Sequence, residues 1–269
     1  MTNPWSVALF AVFLWWLSTG LIMLRVRRAD LGGPDDHIWS VLLGLPLLIG
    51  GGLGLDATAD QSTPLGAVCA FLAAIAVWGW IELAFLSGVI TGPNLKPCPP
   101  GLPLGQRFLR ATGTVLYNEI LLALGLLVIA KVTWGEANEF GLWTYAVLFF
   151  ARISAKLNLF LGVPRIHTEF LPRPLTHLES HFRRAAMNGF FPVSITLLTF
   201  ATACWLERAA GAQTEASLTG HVLLTVLTAL ALLEHWFMVL PLPDQKLYRW
   251  MLPKRPKTHE PSPNLEQRT

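Results

Sequence analysis

The stretch that decides the fold is residues 64–90, which read PLGAVCAFLAAIAVWGWIELAFLSGVI and contain one charged side chain, Glu82. A helix needs about 20 predominantly apolar residues to cross the hydrocarbon core of a bilayer, and this run is long enough. Six further apolar runs, bounded by charges, Pro or Gly, lie at 4–24, 38–55, 111–133, 140–161, 188–206 and 219–240. The sequence therefore predicts an all-α fold, a polytopic membrane helical bundle of about seven transmembrane helices.

The overall composition also indicates a membrane protein. Of the 269 residues, 53% are hydrophobic and only 14% are charged, whereas charged residues make up about a quarter of ordinary soluble domains. The Lys and Arg residues occur in short loops beside apolar runs and do not interleave with exposed aromatics, so we expect no nucleic-acid partner. Three scattered cysteines exclude a disulfide framework. We expect residues 1–252 to form a single transmembrane bundle and residues 253–269 a disordered cytoplasmic tail.

The charges in the loops predict the orientation of the bundle. Basic residues are concentrated in the loops after the first, third, fifth and seventh apolar runs, while the loops after the second, fourth and sixth runs contain only Arg208, with Lys131 at the end of the fourth run. Basic loops normally face the cytoplasm. Seven spans with a periplasmic N-terminus and a cytoplasmic C-terminus satisfy this bias. The second run is the weakest, because it is short and contains Pro46 and Gly50–Gly52, which allow a kinked or partly re-entrant segment.

Ionisable residues inside the apolar runs are the first candidates for function, because a charge in hydrocarbon costs about 2.5–3.5 kcal/mol even on the mildest scale. Four of them lie at a similar depth near the predicted cytoplasmic ends of their spans, and Arg152 lies one turn deeper than Lys156 on the same helix face. One interpretation is a buried charge network that fixes helix packing. The other is a polar cavity that binds a polar ligand, a metal or a pigment head group. The residues are Glu82, Glu119, Arg152, Lys156, Glu234 and His235.

The loop from Pro164 to Arg184 contains the second set of candidates. His177 and His181 are spaced i and i+4, so on an α-helix both imidazoles would project from one face, as a shared metal requires. A di-iron-like metal site is one hypothesis, drawing on Glu82, Glu119, His167, Glu169, His177, His181, Glu234 and His235. An axial ligand to the magnesium of a chlorin is another hypothesis for His177 or His181. We favour an interfacial amphipathic helix, because Leu175, Leu178, Phe182 and Ala185 recur at helical spacing.

Long runs in the chain resemble a known family, the PuhE-like photosynthetic complex assembly proteins of purple phototrophic bacteria. These runs are residues 15–20 (WWLSTG), 82–93 (ELAFLSGVITGP), 98–100, 156–163 (KLNLFLGV), 169–172 (EFLP), 182–184, 187–188 and 233–244 (LEHWFMVLPLPD). The chain departs from the family pattern at Asn118–Glu119, where a His-Glu pair is expected. That difference weakens the di-iron interpretation.

The resemblance implies a multi-pass protein of the bacterial inner membrane, either cytoplasmic or intracytoplasmic, that affects bacteriochlorophyll supply and the assembly of the reaction centre with its core antenna. The partners it implies are membrane lipids, bacteriochlorophyll and reaction-centre or light-harvesting subunits. We therefore favour a non-enzymatic assembly factor. The alternatives are a membrane metalloenzyme acting on a tetrapyrrole or isoprenoid and, less well supported for want of internal repeats, a small-solute transporter.

Overall fold

Seven long α-helices account for the seven predicted apolar runs. The computed structural model of the chain describes residues 3–33 and 35–241. The helices are α1 (Pro4–Leu31), α2 (Asp36–Thr58), α3 (Pro64–Leu86), α4 (Leu104–Thr133), α5 (Phe140–Leu161), α6 (Phe191–Ala210) and α7 (Glu215–Phe237). Residues 3–33 and 35–241 contain no β-strand, only one isolated bridge between Val163 and Arg184. The predicted tail, together with residues 242–252, lies outside the described residues.

Six of these helices, α1 to α5 and α7, are long and apolar enough to cross a membrane. Helix α6 has 20 residues and carries Glu207 and Arg208 near its end. It nevertheless accompanies α5 through the same depth, because Asn158 near the end of α5 donates to Ser194 near the start of α6, at 2.8 Å. At the opposite ends of the two helices, the Trp143 and Trp205 rings lie 5.7 Å apart. The predicted polytopic membrane helical bundle is therefore confirmed.

Helix α2 is continuous despite its Pro and Gly residues. It runs without interruption from Asp36 to Thr58 and includes Pro46, so the partly re-entrant alternative that the sequence allowed is not observed. The glycines serve packing instead, because a Cβ at Gly51 would lie 2.7 Å from the Ala73 carbonyl oxygen of α3. Small residues that allow two backbones to approach closely are typical of helix contacts in membranes.

Hydrogen bonds between loops gather the basic loops at one end of the bundle. Arg27, near the end of α1, donates to the Glu169 carbonyl, and the Cys98 N–H after α3 donates to Ser180 at 2.8 Å. The Arg165 N–H donates to the Met238 carbonyl just after α7, at 3.1 Å. At the other end of the bundle, the Asn138 side-chain amide donates to the carbonyl of Thr58, the last residue of α2, at 3.0 Å. The alternation predicted from the charges is thus present in the fold.

Helix α3 lies at the centre of the bundle. It has many buried side chains, among them Ala70, Phe71, Ala74 and Ile81, and it contacts α2, α5 and α7. Helix α4 is more peripheral and leaves Leu109, Leu127 and Val128 exposed. In a bilayer these exposed apolar side chains face lipid. The polar residues of α3 and of the inner face of α4 are thereby shielded from the lipid.

Candidate functional site

Two ion pairs lie on one face of α5. The Arg152 guanidinium donates from Nη2 to Glu82 Oε2 of α3 at 2.6 Å, and the Lys156 ammonium pairs with Glu119 of α4. Both cations also lie over the Phe85 ring, with 5.6 Å from Arg152 Cζ and 5.1 Å from Lys156 Nζ to its centroid. Cations over an aromatic face are attracted by its quadrupole. Helices α3, α4 and α5 are therefore joined by a compact set of charges that sums to zero.

His235 lies beside a different face of α5 and is fully bonded. Its Nδ1 lies 2.8 Å from the Ala231 carbonyl and its Nε2 lies 2.9 Å from Ser154 Oγ. A carbonyl can only accept, so Nδ1 carries the proton and Nε2 accepts from the serine. Ser154 lies midway between the two α5 cations in sequence and so projects away from their face. His235 consequently joins α7 to α5 and has no nitrogen left for a ligand.

Glu234 forms no ion pair at contact distance with either α5 cation, but the charge of Arg152 acts on its carboxylate. It lies on the surface of the bundle, and its carboxylate is hydrogen-bonded by the side chain of Trp15 on α1. The six residues predicted to form one polar layer all interact with the turn of α5 from Arg152 to Lys156: two ion pairs, the His235–Ser154 bond, and Glu234, which feels the charge of Arg152 and is bonded by Trp15. Sequence depth could not show which of the six residues contact one another, because that depends on how the helices are rotated about their axes.

The segment Thr91–Asn94 inserts against α4 beside the Glu119 pair. The Asn118 N–H of α4 donates to the Thr91 carbonyl at 3.0 Å, and the Asn94 N–H donates to the Gly113 carbonyl at 3.0 Å. The approach requires glycine, since a Cβ at Gly92 would lie 2.2 Å from the Gly113 oxygen. The segment thus takes over hydrogen bonds of the α4 backbone and fixes the position of Asn118 and Glu119.

Next to this insertion lie buried polar atoms with no partner among the described residues. Asn118 is 0% exposed, and neither its Oδ1 nor its Nδ2 is hydrogen-bonded. Glu82 Oε1 and Ser87 Oγ are likewise buried without a partner. A buried polar group without a partner costs about 1–3 kcal/mol. A ligand could hydrogen-bond Asn118 only after the surrounding helices move apart, because the side chain has no exposed surface.

A family model, described as protein of unknown function (DUF3623), matches residues 1–259. The chain belongs to the DUF3623 family. It is 64% identical over 253 residues to a Rhodobacter capsulatus protein described as an uncharacterized 30.4 kDa protein in the puhA 5′ region, and the match spans 94% of this chain and 92% of the relative. No solved structure matches the chain.

In this DUF3623 chain the loop after α5 folds over the basic end as a cap, which we define as residues 162–190. The predicted α-helix in the cap is wrong in type, because Arg173–His181 forms a 3-10 helix, here called the cap helix. With three residues per turn, residues i and i+4 lie about a third of a turn apart. His177 and His181 therefore do not share a face. Leu175, Leu178 and His181, spaced by three, form the buried stripe instead.

The residues proposed as metal ligands are dispersed. Across 3–33 and 35–241, no group of three or more His, Cys, Asp or Glu side chains is close enough to hold one metal ion. Glu82 and Glu119 are paired with cations. His167 and Glu169 lie at the 3-10 turn Thr168–Phe170, at the edge of the cap. The structure does not bring these residues together as one ligand set.

Several residues of the site escaped the sequence analysis. Asn118 was noted only as a departure from the family pattern, and Ser154 was not selected because it is uncharged. Arg107 and Arg110 were interpreted only as topological charges. The structure places them against the cap helix, where the Arg107 guanidinium donates to the His181 carbonyl at 3.4 Å.

Proposed function

We propose that this chain is an inner-membrane assembly factor for the bacterial photosynthetic apparatus, which assists bacteriochlorophyll supply and the assembly of the reaction centre with its core antenna. Two observations support this process. The relative in Rhodobacter capsulatus is encoded in the 5′ region of puhA, a photosynthesis gene, and the long runs of residues 15–20, 82–93 and 233–244 resemble the PuhE-like assembly proteins.

The observation that carries a binding role is the unpaired Asn118 amide beside the α5 ion pairs. Its oxygen accepts and its nitrogen donates, so it suits the carbonyl and hydroxyl groups at the rim of a pigment or the polar backbone of a partner segment. Glu82 Oε1 offers a further acceptor at the same end of the bundle. When bound, bacteriochlorophyll would supply a large flat apolar surface and a magnesium ion. His235 does not fit as a ligand to that ion, because both of its ring nitrogens are engaged.

In this proposal the chain binds and positions without changing a covalent bond. The ion pairs Glu82–Arg152 and Glu119–Lys156 hold α3, α4 and α5 in register, and the insertion at Gly92 places the Asn118 amide. The cap closes the basic end over the helix ends. The dispersed carboxylates and histidines give no support to the metalloenzyme alternative.

Purification from a phototrophic host tests the proposal. The wild-type chain and two variants are extracted in mild detergent and analysed by absorption spectroscopy, metal analysis and mass spectrometry of co-purifying proteins. Asn118→Leu removes the unpaired amide. Thr114→Val, one turn away, removes a hydroxyl that already bonds the Ala111 carbonyl at 2.6 Å and serves as the matched control.

We expect the wild type and Thr114→Val to retain chlorin or a reaction-centre subunit, and Asn118→Leu to lose it. Wild-type protein that retains neither would contradict the proposal. Stoichiometric iron that disappears in Glu119→Ala and Glu234→Ala would also contradict it and would favour a metalloenzyme.

A further inference from the structure

Two arginines of α4 lie against the cap without a carboxylate partner. Arg107 and Arg110 are one turn apart near the start of the helix, and both are half-buried. In the described part of the chain neither forms an ion pair with Asp or Glu. The Arg107 guanidinium donates to the His181 carbonyl and lies 5.3 Å from the Phe160 ring centroid, while Arg110 Nε is buried with no partner.

His181 adds a buried imidazole to this pair. It is 3% exposed, its Nδ1 lies 3.2 Å from the His177 carbonyl, and its Nε2 has no partner. Burial lowers the pKa of His181, the hydrogen bond to the His177 backbone raises it, and the charges of His177, Arg110 and Arg107 lower it again. Every charged neighbour that acts on the imidazole is therefore basic.

A cluster of this kind is unfavourable until an anion joins it. Guanidinium groups that are half-buried and lack a counter-charge lose part of their hydration and repel one another. A phosphate could accept hydrogen bonds from both guanidinium groups at once, because the planar N–H donors of arginine match two phosphate oxygens. The cluster therefore has the chemistry of a phosphate site.

The outer face of α4 indicates where that phosphate comes from. Leu109, Leu116, Ile120 and Leu127 are all exposed, and their spacing places them on one face of the 30-residue helix. This apolar stripe begins beside Arg110 and continues through the depth of the bilayer. A molecule with a phosphate at the basic end and long apolar chains along this stripe is a phospholipid.

We propose that Arg107 and Arg110, with His181 behind them, bind the phosphate of an anionic phospholipid in the leaflet at the basic end, with its acyl chains along α4. The lipid would hold α4 against the cap helix. Basic pockets at the cytoplasmic ends of membrane helices are suited to anionic head groups. This inference does not depend on the photosynthetic role, since it concerns different residues and a different ligand.

Lipid retention tests the proposal. The full chain is reconstituted in nanodiscs of phosphatidylcholine mixed with phosphatidylglycerol, and lipids that stay bound on extraction are counted by native mass spectrometry. Arg107→Gln/Arg110→Gln removes both guanidinium groups. Arg183→Gln/Arg184→Gln removes the same charge from exposed positions of the same cap and is the matched control.

We expect phosphatidylglycerol to remain on the wild type and the control, and the fraction of the Arg107→Gln/Arg110→Gln variant that retains it to fall about tenfold or more. Arg107→Lys/Arg110→Lys keeps the positive charge without the planar guanidinium donors, so this variant should retain an intermediate amount of phosphatidylglycerol. This second variant also decides the matter if the glutamine variant fails to fold. Equal loss in the control, undiminished retention by both site variants, or displacement of phosphatidylglycerol from the wild type by added inorganic phosphate would overturn the proposal.

Discussion

The Glu82–Arg152 pair allows a sharp prediction about the free energy of unfolding. Glu82→Leu leaves Arg152 in the bundle without its carboxylate, and arginine cannot release its proton. Removing one partner of a buried pair typically costs 3–5 kcal/mol. The Glu82 side chain is only 10% exposed but that of Arg152 is 32% exposed, so solvent relieves part of the cost and we expect about 3 kcal/mol at the low end of that range.

The matched change at the other pair should cost less. Glu119→Leu leaves Lys156, and a lysine ammonium can release its proton when it loses its partner. The two side chains are also 25% and 21% exposed, so we expect about 1–2 kcal/mol. The double variant Glu82→Leu/Arg152→Met should recover most of the loss, because apolar residues of similar volume often replace a buried pair without penalty.

Equilibrium unfolding in mixed detergent and SDS micelles, followed by circular dichroism, measures these free energies. A free energy of unfolding for Glu82→Leu within about 0.5 kcal/mol of the wild type, the range of ordinary surface substitutions, would refute a stabilising buried pair. A double variant no more stable than Glu82→Leu alone would refute it as well.

Three matched comparisons, two of glycine or asparagine variants and one of pH, test the packing at Gly92, Asn118 and His181. Gly92→Ala forces a Cβ against the Gly113 oxygen and should lower the free energy of unfolding by about 1–3 kcal/mol, whereas Gly105→Ala, with no heavy atom near its added Cβ, should not lower it. Asn118→Leu removes unpaired buried groups and should leave the unfolding midpoint unchanged or raised, while Asn158→Leu loses its bond to Ser194 and should cost about 1–3 kcal/mol. Burial lowers the pKa of His181 from its usual 6.5, so the unfolded chain binds more protons over that interval and acid destabilises the fold. Thermal unfolding midpoints in neutral detergent should fall as the pH drops below 6.5, less steeply for His181→Asn, and an equal slope in both would contradict this.

The architecture could be predicted because long apolar runs have few alternatives to a membrane helix. The alternation of basic and non-basic loops then fixed which helix ends meet, as the Cys98–Ser180 and Arg165–Met238 bonds bear out. The i and i+4 spacing of Arg152 and Lys156 correctly placed both on one face of α5. It could not name their partners, since those depend on how α3 and α4 are rotated about their axes.

The cap shows why local periodicity misled. Leu175, Leu178 and Phe182 are compatible with an α-helix, but Leu175, Leu178 and His181 repeat every third residue, which is the period of a 3-10 helix. The Leu175 N–H accordingly donates to the Pro172 carbonyl three residues before it. The sequence marked Asn118 only as a departure from the family pattern, because its place in the site depends on the Thr91–Asn94 insertion, a contact made by a different part of the chain.

We propose that the chain assists assembly of the photosynthetic apparatus through the polar groups around Asn118. Near-infrared absorption of membranes from a phototroph that lacks the chain, complemented with the wild type, Asn118→Leu or Thr114→Val, tests it most directly. We predict that the wild type and Thr114→Val restore bacteriochlorophyll and assembled reaction centre with core antenna, and that Asn118→Leu, at equal protein level, does not. Full assembly in cells without the chain, or full restoration by Asn118→Leu, would contradict the account.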